Sequence, residues 1–324
     1  MNYLKRLGFD TYMLLLVATA TGAYFLPAYG VAADVLGYIT YWAVALLFFL
    51  YGSKLDPVLV KEGLFNWRVQ SLTALATYFF LPLTGLFLSY AVSPVLGAIA
   101  AVGFIYLSVL PSTVQSSIAF TSIAGGNVPA AICAASLSNL VGVFLTPAML
   151  ALLLSQSGEG VSAEAIFRIA TQILVPFLIG QLARPWIGAT VQRYRTATLV
   201  VDRGAILLIV YSAFSAGTVS GLWTDVSPMH LSLTVLFVVV FLTIALAGMA
   251  LAGRISRMPV PDRVVLLFCG STKSLATGLP MAIALFPADN VAAIVLPLMI
   301  YHMLQLLVCA YIAQRMSVMS SVAS

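Results

Sequence analysis

The sequence predicts an all-α membrane protein with many spans. Of its 324 residues, 62% are hydrophobic, whereas soluble domains have an apolar share of about 45 to 50%. Mean hydropathy is +1.07. Continuous apolar runs of about 18 residues or more recur along the chain, and each can cross a ~30 Å hydrocarbon core as a helix. Because the strands of an outer-membrane barrel would give short alternating segments instead, we expect a bundle of helices embedded in the lipid bilayer.

Ten spans follow from windows of about 20 apolar residues, and they fall into two halves of five. Residues 1–158 form the first half, residues 159–316 the second, and residues 317–324 a short polar tail. An odd number of spans per half inverts the second half relative to the first, as in many secondary transporters. The predicted spans are 11–28, 35–53, 69–92, 95–124 and 128–154, then 165–184, 203–222, 230–252, 263–286 and 290–313.

The distribution of Lys and Arg predicts the orientation of these spans. With three spans in the uncharged stretch from Val69 to Gly158, thirteen of the fifteen basic residues fall on one side. Arg168 faces the other side and Lys273 lies within a span. By the positive-inside rule both termini are cytoplasmic, in the inner or plasma membrane, and the net charge of +5 does not indicate nucleic acid. The thirteen residues are Lys5, Arg6, Lys54, Lys61, Arg68, Arg184, Arg193, Arg195, Arg203, Arg254, Arg257, Arg263 and Arg315.

The fourth and ninth spans are interrupted by polar residues near their centres. The stretch PSTVQSS (111–117) interrupts the fourth span and GSTKS (270–274) interrupts the ninth. Lipid cannot satisfy backbone groups that leave helical geometry, so such breaks survive only where protein or a watery cavity surrounds them. Matched breaks in two inverted halves indicate a transporter's binding site. We therefore expect discontinuous helices four and nine, with these candidate substrate-binding or coupling residues: Gln115, Ser116, Ser117, Ser271, Thr272, Lys273 and Ser274.

Lys273 is an ionisable residue in the middle of a span. Burying an ammonium at a helix centre costs about 2.5 to 3.5 kcal/mol, so such residues are functional candidates. Lys273 lies about ten residues from the near end of its span, roughly 15 Å along a helix, which is too far for its side chain to reach the membrane surface. No Asp or Glu lies in any predicted span. Its partners are therefore a substrate anion, water, or carbonyl and hydroxyl oxygens of the helices, unless burial lowers the pKa of Lys273 enough for the amine to lose its proton.

The segments around these interruptions resemble the bile acid:sodium symporter superfamily, and the resemblance covers nearly the whole chain. The matching segments are FFLYGSKLDP (48–57), LPSTVQSSIAFTSIAGGNVPAAI (110–132) and FLTP (144–147). CGSTKSL (269–275) is similar to the Cys-Gly-x-x-Lys-Ser-Leu pattern of the SBF-like branch related to solute carrier family 10 member 7. The resemblance implies ten helices in a panel and a core domain, with helices four and nine crossing at the substrate and sodium sites.

The resemblance also implies positions for two sodium ions. Aligned with the Ser-Asn pair of helix 4 are Ser116 and Ser117. The Glu-x-x-x-Gln stretch of helix 9 becomes Phe268 and Thr272, and the Gln of helix 3 becomes Thr77. The carboxylate is therefore missing. The possible remnants of an ion site are Thr77, Ser136, Ser138 and Asn139, no metal site is certain, and no cofactor is expected apart from the sodium ion that the resemblance implies.

A cation close to this position disfavours sodium. Sodium prefers hard oxygen ligands, and two unit charges about 6 Å apart repel by roughly 3 kcal/mol at an effective dielectric near 20. We expect a charged Lys273 to stand in for sodium where the helices cross. Transport would then be uncoupled from sodium or coupled to lysine protonation.

The predicted function is secondary active transport of a small or amphipathic organic anion by alternating access. Two alternatives stay open: a membrane sensor or regulator of calcium homeostasis on the same fold, and a conventional sodium-coupled symporter with a rearranged ion site. Catalysis is not expected, because His302 and Gln305, one turn apart on the tenth span, have no carboxylate or nucleophile beside them. They are further candidates for the substrate site. The sequence does not fix the oligomeric state.

Overall fold

The computed structural model describes residues 11–54, 66–155, 167, 170–221 and 227–322. This part of the chain is helical and contains no strand. Many large apolar side chains point outward, among them Phe25, Trp42 and Trp186, as expected for a surface that faces lipid. The prediction of an all-α membrane protein is therefore confirmed.

The described residues contain thirteen α-helices. We number them in chain order and name two π-helical segments separately. They are α1 (Thr11–Phe25), α2 (Val31–Lys54), α3 (Trp67–Leu75), π1 (Ala76–Phe80), α4 (Leu81–Leu96), α5 (Ala98–Val109), α6 (Gln115–Ile123), α7 (Val128–Ser155), π2 (Ala170–Leu174), α8 (Val175–Arg193), α9 (Arg195–Val219), α10 (Pro228–Ile255), α11 (Val260–Ser271), α12 (Leu275–Leu285) and α13 (Ala288–Val322).

Within the described residues, eight helical stretches are long and apolar enough to cross a membrane. Two shorter apolar helices, Leu14–Phe25 and Ala98–Val109, coincide with the first and fourth predicted spans. Helix α8 continues to Arg193, beyond the predicted end at residue 184. Helix α13 runs to Val322, so most of the predicted polar tail is helical. The predicted boundary at residue 158 lies outside the described part of the chain. So do four of the basic residues used to predict topology: Lys5, Arg6, Lys61 and Arg168.

The helices pack in two groups. Helices α1, α2, α8 and α9 form a four-helix group, in which α2 lies along α8 and α1 along α9. The remaining helices form a central group around α5, α11 and α13, and α9 connects the groups by packing on α12 and α13. Glycines permit the closest approach: a Cβ atom at Gly52 would overlap the carbonyl oxygen of Phe177, and one at Gly180 that of Phe49.

Both predicted interruptions coincide with breaks in the helices. Helix α5 ends at Val109 and α6 begins at Gln115, with an extended backbone at Leu110. Helix α11 ends at Ser271 and α12 begins at Leu275, with Thr272 and Ser274 extended. The α11–α12 stretch is buried over most of its length, unlike the other spans. The unwound backbone therefore lies within protein, where its polar groups can find partners.

Two segments within spans are π-helical, which the sequence analysis did not predict. Segments π1 and π2 each end two residues before a proline, Pro82 and Pro176. Proline lacks the N–H that would bond the carbonyl four residues earlier, and π-bulges are frequent at functional sites. Thr77 lies in π1, and its carbonyl oxygen accepts a hydrogen bond from Lys273 in the break of the ninth span.

Candidate functional site

The two interruptions cross and bond to each other. The backbone N–H of Ser274 donates to the carbonyl oxygen of Pro111 at 2.9 Å. The Thr272 hydroxyl oxygen lies 3.0 Å from that of Ser112 and accepts from the Thr113 hydroxyl at 3.1 Å. All of these residues are buried. The contacts join the ends of four half-helices at one point, which we call the crossing.

The ammonium of Lys273 lies beside the crossing in a cage of backbone carbonyls. Its side chain has no exposed surface. The Nζ atom donates to the carbonyl oxygens of Ser108 at 2.6 Å, Leu110 at 2.7 Å and Thr77 at 3.3 Å. An ammonium has three hydrogens, so these bonds use all of its donors. Ser108 and Leu110 lie at the C-terminus of α5, where the helix dipole places partial negative charge.

Gln305 of α13 holds the backbone of Lys273. Its Oε1 atom accepts from the Lys273 N–H at 2.8 Å, and its Nε2 atom donates to the Lys273 carbonyl at 2.8 Å. The Nδ1 atom of His302 lies 2.9 Å from the same Nε2 atom. These two candidate residues for the substrate site therefore lie beside Lys273, where they contact its backbone and not its ammonium.

Helix α7 binds the first interruption and the first turn of α12 through polar side chains. Asn139 donates from Nδ2 to the carbonyl of Ser112 at 2.7 Å and accepts at Oδ1 from the Thr277 hydroxyl at 2.9 Å. The Ser138 hydroxyl accepts from the N–H of Ser112 at 3.0 Å. Ser274 caps α12 by accepting from the N–H of Thr277 at 3.2 Å. Asn139 and Ser138 thus position unwound backbone, and neither reaches the Lys273 ammonium.

The other predicted site residues have local partners or none at the crossing. Ser271 donates to the carbonyl of Leu267 at 2.5 Å, and Ser117 donates to that of Thr113. Ser116 donates to the Thr113 hydroxyl at 2.7 Å. Two positions lie apart from these contacts: Ser136 is half-buried in α7 without a hydrogen bond to the crossing, and Gln115 is exposed.

The family of the chain follows from its match to known proteins. A model of the SBF-like CPA transporter family matches residues 10–318. The chain belongs to the SBF-like CPA transporter family. The resemblance to bile acid:sodium symporters is confirmed, and so is the expectation of a transporter and not an enzyme.

Three relatives illustrate the range of this SBF-like family. An uncharacterized protein of Pseudomonas aeruginosa is 46% identical over 307 residues, which cover 94% of this chain and 92% of that protein. The Escherichia coli protein named "Putative symporter YfeH" is 41% identical over 310 residues, covering 94% and 92%. "Sodium/bile acid cotransporter 7" of Rattus norvegicus is 28% identical over 315 residues, covering 95% and 92%.

A phenyl ring occupies the position where the resemblance implies a sodium-binding glutamate. Phe268 is fully buried, and its ring centroid lies 5.7 Å from that of Phe120. The Thr77 hydroxyl, where the resemblance implies the glutamine of helix 3, is buried and has no hydrogen-bond partner in the described part of the chain. Among the described residues no cluster of three or more His, Cys, Asp or Glu could hold a metal ion.

A cavity of about 560 Å³ lies between the two helix groups. The central group contributes Gln115, the first residue of α6, which directly follows the first interruption. The four-helix group contributes the other lining residues, which come from α2, α8 and α9: Lys54, Val191, Gln192, Thr198, Leu199 and Asp202.

Several residues at or near the crossing are not among the site residues predicted from the sequence. Ser112 and Thr113 lie in the quoted polar stretch and could have been selected from it. Tyr106 donates to the carbonyl of Gly278, and Tyr301 donates to that of Ser271 at 2.5 Å. In the sequence these tyrosines resemble other aromatic residues of apolar spans, so no local signal distinguishes them.

Proposed function

We propose that this protein is a secondary transporter of a small or amphipathic organic anion, in which the Lys273 ammonium takes the place of sodium at the crossing. The observation that carries the proposal is the cage of three carbonyl oxygens around Nζ. Carbonyl oxygens are the ligands that hard cations prefer. An ammonium bonded to all three leaves a sodium ion neither ligands nor a favourable potential at that point.

The residues around the crossing fit sodium poorly. The aligned carboxylate is replaced by Phe268, whose side chain offers no oxygen. A sodium ion about 6 Å from the ammonium would be repelled by roughly 3 kcal/mol at an effective dielectric near 20. Transport is therefore driven by the substrate gradient or by protonation of Lys273, and sodium is not required.

The packing supports ten spans in two inverted halves. The four-helix group takes the first two spans of each predicted half, α1 and α2 with α8 and α9, and the central group takes the remaining three of each. These groups correspond to the panel and core domains of the family. Movement of one group against the other would open the cavity to each side in turn, with both termini in the cytoplasm.

Uptake by proteoliposomes tests this proposal. We expect saturable uptake of at least one anion from a panel of monocarboxylates, dicarboxylates, sulfonates and cholate. The initial rate should not change when external sodium is replaced by choline. Arg254→Ala removes a positive charge at an exposed position near the end of α10, and it should leave the uptake rate unchanged.

Two results would contradict the proposal. A rate that depends on sodium, with half-saturation at millimolar concentration, would favour a sodium-coupled symporter with a rearranged ion site. Absence of uptake for every anion by folded, reconstituted protein would favour a sensor or regulator. Gel filtration and thermal unfolding of the same preparations establish that the protein is folded.

A further inference from the structure

The accessible lysine of the proposed pathway is Lys54. The Lys273 ammonium is fully buried and all its donors are bonded to carbonyls, so a substrate could reach it only by dismantling the cage. The Lys54 side chain is 33% exposed and lines the cavity between the helix groups. Gln115 lines the same cavity, which therefore extends from the first residue of α6 to the last turn of α2.

The cavity has the size and chemistry of a small-molecule site. Its volume of about 560 Å³ lies within the roughly 300 to 1,000 Å³ typical of ligand pockets. Val191 and Leu199 give it an apolar surface, while two glutamine amides and a threonine hydroxyl can form hydrogen bonds. This combination suits a molecule with an apolar body and one charged group.

In this structure Lys54 already forms an ion pair with Asp202. The Lys54 ammonium donates to Oδ2 of Asp202. The other oxygen, Oδ1, is buried and finds no hydrogen-bond donor among the described residues. Buried polar atoms almost always have a partner, so this carboxylate is incompletely satisfied. The Lys54 side chain is 33% exposed, so an anion in the cavity can reach its ammonium and compete with Asp202 for it.

We propose that Lys54 binds the anionic group of the substrate and that Asp202 is an internal competitor, which occupies Lys54 when the cavity is empty. This inference rests on the proposed function, because it concerns how the same transporter recognises its substrate. It makes Lys54 and Asp202 specificity-determining residues with opposite effects on affinity. It also explains why the buried Lys273 need not contact the substrate.

The test is ligand-induced thermal stabilisation of the full-length protein in detergent. The probes are cholate, benzoate, succinate and methanesulfonate, with methyl cholate as the uncharged match for cholate. The proteins are the wild type, Lys54→Gln, Asp202→Asn, the double variant and the control Arg254→Ala. The unfolding midpoint without ligand shows whether each variant is folded.

For an anion that stabilises the wild type, Lys54→Gln should weaken apparent affinity by at least about tenfold, the factor expected for a lost charged hydrogen bond. Asp202→Asn should strengthen it about three- to tenfold, because the competitor is removed. In the Lys54→Gln background Asp202→Asn should have no effect, since Asp202 acts through Lys54. Any stabilisation by methyl cholate should be the same in all the variants.

Equal stabilisation of all variants by such an anion would overturn the role of Lys54 and leave the proposed function intact. The same conclusion would follow if Asp202→Asn weakened binding as much as Lys54→Gln, because the pair would then be structural. If no anion binds to or is transported by the wild type or Asp202→Asn, the proposed function fails, and this inference fails with it.

Discussion

At the residue scale, the buried charge of Lys273 is stabilised by the main chain. Insertion of an ammonium at a helix centre costs about 2.5 to 3.5 kcal/mol, and a hydrogen bond to a charged group contributes about 1.5 to 3 kcal/mol. Three such bonds to carbonyls therefore offset the cost. The position of Lys273 could be predicted from the sequence, but its partners could not, because every residue type carries a carbonyl.

Gln305 is the residue whose loss should affect the crossing most directly. Its amide satisfies both backbone groups of Lys273, and each buried group left without a partner costs about 1 to 3 kcal/mol. Gln305→Ala should therefore lower the free energy of unfolding by about 2 to 6 kcal/mol. Hydrogen exchange should increase in the 272–274 segment, as measured by mass spectrometry.

His302→Ala is the control for this prediction. The His302 ring bonds the Gln305 amide and also contacts the Lys273 backbone, whereas Gln305 satisfies both backbone groups of Lys273. Removal of the ring should therefore lower the free energy of unfolding by about 1 kcal/mol and raise exchange at 272–274 less than Gln305→Ala does. Similar exchange in Gln305→Ala and the wild type would show that the amide does not hold this segment.

At the scale of elements, the sequence predicts the broken helices well and the π-helical segments not at all. Pro111 and the glycine and hydroxyl residues of GSTKS mark the breaks, because they disfavour a continuous helix. Segment π1 has an apolar sequence whose one signal is Pro82. Prolines also lie within helices that contain no such segment, including Pro147 and Pro297, so proline alone does not predict π1.

The close packing of α2 on α8 gives a prediction at this scale. A methyl group at Gly52 would overlap the backbone of Phe177, and backbone cannot move aside as a flexible side chain can. Gly52→Ala should therefore lower the free energy of unfolding by about 1 to 3 kcal/mol, the usual effect of overpacking. The unfolding midpoint in detergent measures this effect.

Gly37→Ala is the matched control, because Gly37 lies on the same helix and a Cβ atom there meets nothing within 4 Å. It should be neutral or slightly stabilising. If the two variants were equally stable, α2 and α8 would not pack as closely as the structure describes.

At the scale of the whole molecule, the two helix groups each draw on both halves of the chain. The pairing of α2 with α8 and of α1 with α9 joins residues more than a hundred positions apart. Hydropathy predicts where spans lie but not which spans pack together. The cavity and the pair of Lys54 with Asp202 result from this long-range packing, so they could not be identified from the sequence.

The dependence of stability on sodium tests most directly whether the Lys273 ammonium occupies a cation site. Thermal unfolding is measured in sodium chloride and in choline chloride for the wild type, Lys273→Ala and Lys273→Met. In Lys273→Ala the carbonyls of Ser108, Leu110 and Thr77 lose their donor. Thr77 also carries a hydroxyl that has no hydrogen-bond partner among the described residues. Methionine fills the space without offering a charge.

We expect sodium to stabilise Lys273→Ala, by about 1.4 kcal/mol when its concentration is ten times its Kd. The wild type and Lys273→Met should have the same unfolding midpoint in sodium and in choline. If sodium instead stabilises the wild type and the effect persists in Lys273→Ala, sodium binds elsewhere and the ammonium does not replace it.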